Sequence, residues 1–247
     1  MRILLVGDTH ANQMAMNLAL NHAVHIQADA IFQVGDFGYW PRIEHGRNFL
    51  ESTSRAAVEA DIPVYWIDGN HEDFQELHSN FGQYSNEPVK IRDHVYWLPR
   101  GCVVEWEGVR IMGFGGGASI DRATRTLGHS WFLEEMITDE DVERTQPVDI
   151  IISHDAPLFP LKRGVAMEDS EFCRQQMRRV VNKCQPELLV HGHYHVYHDT
   201  PAMREGGYTR VIGLGCDLDP DNMGILSLTA GVWEYIPTMD RVYHENY

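Results

Sequence analysis

The sequence predicts an α/β protein in which helices flank a β-sandwich of two mixed sheets. Three observations lead to this fold class. In the first 80 residues, short apolar runs alternate with amphipathic helical patterns, as in parallel strands joined by helical crossovers. After residue 194, β-rich runs alternate with turn sequences. No linker, repeat or low-complexity tract interrupts the chain, so we expect a single domain over residues 1–247.

Each predicted element follows from its local pattern. The amino-terminal part predicts strands at 2–6, 30–34 and 63–67 and helices at 11–25, 44–60 and 73–79. Three short β runs split by turns, at 95–98, 103–106 and 109–114, predict antiparallel hairpins, and a glycine-rich loop follows from Gly115 to about Gly128. The remainder predicts short helices at 131–136 and 138–144, a longer helix at 170–184, and strands at 148–152, 188–190, 210–214, 223–228 and 232–236.

Composition and charge exclude several kinds of protein. The chain is 43% hydrophobic and 23% charged, which argues against disorder. Its formal net charge of −16 disfavours non-specific binding to nucleic acids but permits a small phosphorylated substrate. No apolar run approaches the ~20 residues that span a bilayer, and the first strand leaves no room for a signal peptide. We therefore expect a cytoplasmic protein without a membrane partner; the sequence leaves the oligomeric state open.

Five polar clusters each follow an apolar run that predicts a strand. They are Asp8-Thr9-His10, Gly35-Asp36, Gly69-Asn70-His71-Glu72, Ser153-His154-Asp155 and His191-Gly192-His193-Tyr194-His195. Ligands bind at the carboxyl ends of strands in open α/β sheets, so we expect these side chains to meet at one edge. Imidazole suits first-row transition metals, and carboxylate or amide oxygen adds manganese and iron to the possible ions. The clusters therefore predict a site for two metal ions.

In order and spacing, the five clusters resemble the metal-binding motifs of the calcineurin-like metallophosphoesterases, the small bacterial and phage members in particular. The resemblance runs from Asp8 to His195. It implies two divalent ions, with Mn²⁺ expected and iron, zinc or nickel as alternatives, and a hydroxide between the ions that attacks phosphorus. It assigns Asp8, His10, Asp36 and His195 to one ion and Asp36, Asn70, His154 and His193 to the other, with Asp36 bridging the pair.

The same resemblance gives His71 a catalytic role, in which it protonates the leaving alkoxide or stabilises the transition state. A neighbouring carboxylate, Asp68 or Asp73, could orient its ring. His191 lies outside the family pattern and could support a ligand, contact the substrate or be structural. We expect the remaining histidines at solvated surface positions: His22, His25, His45, His78, His94, His129, His198 and His244.

The loop that begins at Gly115 is similar to a stretch found in many bacterial and phage members of the family. An arginine there, Arg122 or Arg125, could bind a phosphate oxygen through its guanidinium group, whose geometry favours two parallel hydrogen bonds. The alternative is a salt bridge between either arginine and a nearby acid, Asp121 or Glu134.

Departures from the family pattern bear on the substrate. The Ser/Thr protein phosphatases of this superfamily carry GDxVDRG at the second motif, whereas Asp36 is followed here by Phe37-Gly38-Tyr39-Trp40. These aromatic rings could stack on a nucleobase; alternatively, they pack the crossover helix against the sheet. Compact members of the family often hydrolyse phosphodiesters, so we predict a phosphodiesterase of small or cyclic nucleotides. A phosphomonoesterase or protein phosphatase, a nuclease and a non-catalytic scaffold remain alternatives.

Overall fold

The computed structural model describes residues 1–157 and 168–238. Its strands are β1 Arg2–Val6, β2 Ala30–Gln33, β3 Val64–Trp66, β4 Val89–Arg92, β5 Val95–Trp97, β6 Val103–Trp106, β7 Val109–Phe114, β8 Ile150–Ser153, β9 Leu188–His191, β10 His198–Arg204, β11 Gly207–Gly213, β12 Met223–Thr229 and β13 Val232–Pro237. Its α-helices are α1 Gln13–His25, α2 Glu44–Ala60, α3 Phe74–Phe81, α4 Asp139–Glu143 and α5 Glu168–Cys184, and 3₁₀ turns lie at Arg122–Thr124 and Leu133–Glu135. Within these ranges, no helix combines the length and the apolar character needed to cross a bilayer.

The strands form two mixed sheets with a similar plan. The first sheet has the order β13-β12-β1-β2-β3-β5-β4, and the second has the order β10-β11-β9-β8-β7-β6. In each sheet the four central strands are parallel, while the strands toward the edges are antiparallel to their neighbours. The predicted fold class, two mixed sheets flanked by helices, is confirmed.

Alternate side chains of a central strand enter two different layers of the core. Leu5 of β1 packs toward the second sheet, in an apolar layer that also contains Ile150 and Val190. Leu4 points to the opposite face, where α1 and α2 cover the first sheet. Helices α4 and α5 cover the outer face of the second sheet in the same way. The central strands are therefore apolar on both faces, as strands between two packed layers must be.

Local hydrogen bonds set the bounds of the helices. The structure begins α1 at Gln13 and not at residue 11, because the Asn12 side chain accepts the backbone N–H groups of Met14 and Ala15 and so caps the helix. Helix α2 has the predicted bounds. It ends where Asp61 adopts a left-handed backbone conformation with φ 54°, a common termination.

Several elements differ from the sequence prediction. Strand β5 pairs in parallel with β3, so of the three central β runs only β6 and β7 form the expected hairpin. The sequence pattern does not reveal β4 or β10. Both lie at sheet edges, where most side chains stay exposed and the apolar alternation is weak. The helix expected at 131–136 is only a short 3₁₀ turn.

Leu50 provides a test of the layer between α2 and the first sheet. Its side chain is fully buried, whereas that of the adjacent Glu51 is exposed. We expect Leu50→Ala to lower the free energy of unfolding by about 2–5 kcal/mol, because the truncation removes apolar contacts and leaves a cavity. Urea denaturation measures the change, and the control Glu51→Ala should shift it by less than about 0.5 kcal/mol. Equal losses in the two variants would contradict this description of the core.

Candidate metal centre

Polar side chains from both sheets meet at the carboxyl ends of the parallel strands. The turns after β1, β2 and β3 carry Asp8, His10, Asp36, Asn70 and His71, and the turns after β8 and β9 carry His154, His193 and His195. The strands that carry these turns run parallel within each sheet, so the turns share one edge of the sandwich. The structure thus brings together the side chains that the motifs singled out.

Asp36 lies at the centre of this group and is 1% exposed. Its Oδ2 atom is 3.4 Å from His10 Nε2 and 3.5 Å from His154 Nε2. The same oxygen is 3.9 Å from His71 Nε2, and the other oxygen accepts the backbone N–H of His71 at 2.8 Å. One carboxylate therefore faces imidazoles from both sheets, which is the position that a bridging ligand requires.

Asp8 is a second buried carboxylate of the site and contacts the residues of the last motif. It is fully buried, and its Oδ2 atom lies 2.9 Å from His195 Nε2. Both of its oxygens also accept the backbone N–H of His193, at 3.2 and 3.1 Å. The carboxylate of the first motif therefore fixes the turn that carries the last motif.

A third group joins Asn70 to the second sheet. Asn70 Oδ1 lies 3.0 Å from His154 Nε2, and the ring centroid of His193 lies 4.8 Å from that of His154. His154 Nδ1 is 3.0 Å from the carbonyl oxygen of Val34, which requires a proton on Nδ1. In the neutral ring, Nε2 then carries a lone pair, which faces the oxygens of Asn70 and Asp36. Three acceptors that face one another need a cation between them, either a proton or a metal ion.

The electrostatics of the site favour a cation. Burial lowers the pKa of His10 and His154, but the hydrogen bonds and charge of Asp36 outweigh burial and raise these pKa values to about 9 and about 10. Burial raises the pKa of Asp36, yet His154 and His10 hold it well below its usual range. The two carboxylates thus attract positive charge to the imidazole nitrogens, as a metal site does.

The donor set fits two divalent metal ions. The ligand atoms of Asp8, His10 and His195 lie within 4.8 Å of one another, and so do those of Asp8, Asp36 and His154. Mixed carboxylate, amide and imidazole donors suit first-row transition metals. These donor types do not select among manganese, iron, zinc and nickel.

The backbone at these positions is strained. His10, Asp36, His193 and His195 have φ values of 43°, 51°, 68° and 53°. A left-handed conformation costs a residue with a side chain roughly 1–2 kcal/mol. Such strain persists where the surrounding structure enforces it, and it is concentrated at functional sites.

Glu72 supports the turn that carries Asp36, although the sequence analysis gave it no role. Its buried carboxylate accepts the backbone N–H groups of Phe37 at 2.8 Å, Gly38 at 3.2 Å and Tyr39 at 2.7 Å. Its position at the end of the third motif, directly after His71, is the sequence feature that could have indicated this supporting role.

Asp217 is a second residue that the sequence analysis missed. Its Oδ2 atom lies 3.2 Å from His10 Nδ1, and its backbone N–H donates to the carbonyl of Asp8 at 2.6 Å. A carboxylate on one ring nitrogen holds the proton there and leaves the other nitrogen free as a ligand. The turn sequence that begins at Asp219 indicates only a turn, and the contact with His10 spans 207 positions of the chain.

His71 faces Arg125, whereas Asp68 and Asp73 are engaged elsewhere. Arg125 Nη2 lies 2.8 Å from His71 Nε2, and a guanidinium can only donate, so Nε2 accepts this hydrogen bond. Burial lowers the pKa of His71, and the charge of Asp36 opposes this.

Asp68 accepts hydrogen bonds from Trp97 and Arg100, and Asp73 pairs with Arg42 and caps α3. Neither expected acid orients the His71 ring.

The two loop arginines have different surroundings. Arg125 lies in the site, and its Nε atom is 2.8 Å from Asp121 Oδ1. Arg122 is half-exposed; it pairs with Asp169, and its guanidinium lies 4.7 Å from the ring centroid of Trp131. The structure therefore brings Arg125 to the candidate centre. Arg125 also makes the salt bridge with Asp121 that was the alternative prediction, whereas Arg122 pairs with a different acid from those expected.

The aromatic residues after Asp36 are mainly part of the core. The ring centroids of Phe37 and Tyr39 lie 5.0 and 5.8 Å from that of Trp66, and both rings are buried. Packing against the sheet, rather than stacking on a base, is therefore correct for these two. Trp40 is half-buried and lines a cavity of about 360 Å³ beside His71.

His191 lies beneath the last motif and is fully buried. Its Nδ1 atom is 2.8 Å from the carbonyl oxygen of Gly192, and its Nε2 atom is 2.8 Å from His198 Nε2. Burial lowers the pKa of His191 to about 3, so the ring is neutral. These contacts fit the structural alternative. The expected solvated position is confirmed for His25, His45 and His129. It is wrong for His22, His78, His94 and His198, which are half-buried, and His244 lies outside the described residues.

Gly192 provides a test of how closely the backbone approaches Asp8. A Cβ atom at position 192 would lie 1.9 Å from Asp8 Oδ1. We expect Gly192→Ala to displace this carboxylate and to weaken metal binding at least 10-fold, about the loss seen when the support of a ligand is removed. Titration of the metal-free protein with Mn²⁺ measures the affinity. The control is Gly207→Ala, whose Cβ would meet nothing closer than 3.7 Å, and a similar loss in that variant would contradict the argument.

Comparisons with known proteins agree with this geometry. The family model described as calcineurin-like phosphoesterase matches residues 1–197. The crystal structure of TT1561 from Thermus thermophilus has a TM-score of 0.60 at 15% identity, over 96% of this chain and 98% of that chain. A dimetal phosphatase from Danio rerio has a TM-score of 0.56 at 11% identity, over 96% of this chain and 99% of that chain. At such identities, the two structures show a shared fold alone.

A comparison with curated protein sequences gives no match. The family match covers most of the chain and includes every motif from Asp8 to His195. The chain belongs to the calcineurin-like phosphoesterase family, and the prediction of a metal-dependent phosphoric ester hydrolase is confirmed.

Proposed function

We propose that the protein is a phosphodiesterase that uses two divalent metal ions and cleaves small phosphodiesters, with cyclic and other small nucleotides as favoured substrates. One observation carries the proposal: His71 and Arg125 lie together beside Asp36, although neither belongs to the proposed ligand set. Phosphoryl transfer needs positioning and charge stabilisation from the protein. A guanidinium and an imidazole next to a two-metal site supply a clamp for the phosphate and a group for the leaving oxygen.

The ligand set is part of the proposal. Two such ions, when bound, activate water near neutral pH and neutralise charge on the phosphate oxygens. We propose manganese for both positions, since carboxylate and amide oxygens accept it. The cytoplasmic location and the absence of a membrane or non-specific nucleic-acid partner stay predictions. The ligands would be Asp8, His10, Asp36 and His195 for one ion and Asp36, Asn70, His154 and His193 for the other.

Arg125 would exchange partners when the substrate binds. Its Nη2 atom now donates to the imidazole of His71, while its Nε atom pairs with Asp121. A phosphate oxygen carries negative charge and forms a stronger hydrogen bond with a guanidinium than a neutral imidazole does. The phosphate would therefore take the Nη2 donor and leave His71 Nε2 without it. Nε2 could then take up a proton from solvent, which the charge of Asp36 favours, and donate it to the leaving oxygen.

The charge of the cavity supports a diester over a monoester. A cavity of about 600 Å³ opens on Asp36, His193 and His195. Among the described residues that line it, Arg125 is the one lysine or arginine, and it is already paired with Asp121. A diester carries a single negative charge, whereas a monoester carries about −1.5 to −2 at pH 7. Beyond the metal ions, the described lining of this cavity therefore offers little positive charge to compensate the second negative charge of a monoester.

A second cavity supports a substrate with an aromatic or sugar group. It has a volume of about 360 Å³ and shares His71 and Arg125 with the first cavity. Trp40, Ile43 and Phe132 supply apolar wall. Small-molecule sites have volumes of about 300–1,000 Å³ and are mainly apolar with a few polar groups. The nucleoside part of a small nucleotide would bind here, on the His71 side of the ester.

The first test compares an aryl phosphodiester with the matching monoester, with Mn²⁺ added and after chelation. We expect faster cleavage of the diester, and only with metal. Among diesters, a cyclic nucleotide should have a lower KM than a dialkyl phosphodiester, which cannot fill the apolar cavity. Faster cleavage of the monoester would favour a phosphatase. If the metal-loaded protein cleaved neither compound, the phosphodiesterase proposal would fail in favour of a scaffold or another substrate class.

A second test concerns His71. We expect His71→Gln to lower kcat for the diester by about 10²- to 10⁴-fold while the metal content stays unchanged, because its proposed partner is the leaving oxygen. Kinetics and elemental analysis of the same samples measure both quantities. His25→Gln, at an exposed position in the last turn of α1, is the matched control and should change neither. Loss of metal from the His71 variant would instead identify His71 as a ligand.

A further inference from the structure

A chain of hydrogen bonds leads from Asn70 away from the candidate metal centre. Asn70 Nδ2 donates to Ser119 Oγ at 3.0 Å. Ser119 Oγ in turn donates to Glu135 Oε2 at 2.9 Å, and the backbone N–H of Ser119 donates to Glu135 Oε1 at 2.8 Å. None of these three side chains is more than 4% exposed, so water does not compete for these bonds.

When Glu135 is ionised, the chain of hydrogen bonds has a fixed direction, because it ends on a group that can only accept. An ionised carboxylate can only accept, so the Ser119 hydroxyl must donate to Glu135. The hydroxyl oxygen then accepts, and the group of Asn70 that faces it must be the donor, Nδ2. The amide oxygen of Asn70 is thereby turned toward His154 Nε2, 3.0 Å away, where the proposed second metal ion would bind. With the amide reversed, NH₂ would face that position, and NH₂ is not a metal ligand.

Glu135 is itself held firmly in place. Trp131 Nε1 donates to Glu135 Oε1 at 2.8 Å, and the backbone carbonyl of Glu135 accepts the N–H of Gly117 at 3.0 Å. Burial raises the pKa of Glu135 to about 7 although its three hydrogen-bond donors oppose the rise, so the carboxylate is ionised, and accepts only, above about pH 7.

We propose that Ser119 and Glu135 are positioning residues that fix the Asn70 amide with its oxygen toward the second metal ion; this inference rests on the ligand set of the proposed function. It also explains why the loop from Gly115 onward packs against the third motif. That loop carries both Ser119 and Arg125. One segment therefore sets the orientation of a metal ligand and delivers the proposed phosphate clamp.

The test measures Mn²⁺ binding to the metal-free protein by calorimetry, so it does not depend on finding the substrate. Asn70→Ala identifies the binding step that belongs to the second ion. Ser119→Ala breaks the chain of hydrogen bonds. Glu135→Gln replaces the carboxylate, which can only accept, by an amide of similar shape that can also donate. Trp131→Phe is the matched control, because it removes a different donor from the same carboxylate and leaves the link to Asn70 intact. The melting temperature of each metal-free variant is recorded in parallel.

We expect Ser119→Ala and Glu135→Gln to weaken the second Mn²⁺ ion by about 10- to 100-fold. The first ion, and both ions in Trp131→Phe, should stay within twofold of the unmodified protein. Unchanged Mn²⁺ affinities with lowered melting temperatures would overturn the proposal and leave Ser119 and Glu135 a purely structural role. Equal weakening in all three variants would also overturn it, because Glu135 would then only brace the loop. If Asn70→Ala left Mn²⁺ binding intact, the ligand set would be wrong, whereas failure to cleave diesters would leave this test unaffected.

Discussion

A carboxylate cannot stay ionised inside a protein unless cations or hydrogen-bond donors surround it. Asp36 is such a carboxylate, almost fully buried where the two sheets meet. The backbone N–H of His71 and the imidazoles of His10 and His154 face its oxygens. Each of these groups follows a different strand, so the ends of three strands are committed to compensating one buried charge. The rest of the site is arranged around that requirement.

Regular sheet geometry alone does not place these groups close enough together. The turns at His10, Asp36, His193 and His195 adopt left-handed backbone conformations, and other side chains hold the turns in place. Glu72 collects three backbone N–H groups beneath the second motif. The Asp8 carboxylate accepts the backbone N–H of His193 and so anchors the last motif. The local strain is therefore balanced by hydrogen bonds to buried carboxylates, and these bonds help to position the ligand candidates.

The sequence predicted what depends on local patterns. Central strands such as β1 are continuous apolar runs, and the polar cluster after each one marks the edge of the site. Strand β10 escaped prediction because its side chains are mostly exposed and carry no apolar alternation. The sequence patterns also did not predict the side-chain contacts between loops. The sequence around Ser119 and Glu135 does not indicate that these residues are linked to Asn70. Likewise, only the fold shows that Arg125 faces His71, whereas Arg122 faces Asp169.

The ligand candidates come from both sheets, so the thickness of the apolar layer between the sheets sets how far apart the two halves of the centre lie. Leu5, Phe32, Ile150 and Val190 help to fill that layer. Protein interiors are packed so densely that a change of one methylene group is felt by its neighbours. A substitution deep in this layer, without contact to any ligand candidate, would therefore change the distance between the donors of one sheet and those of the other. In this architecture the hydrophobic core therefore also sets the geometry of the candidate metal centre.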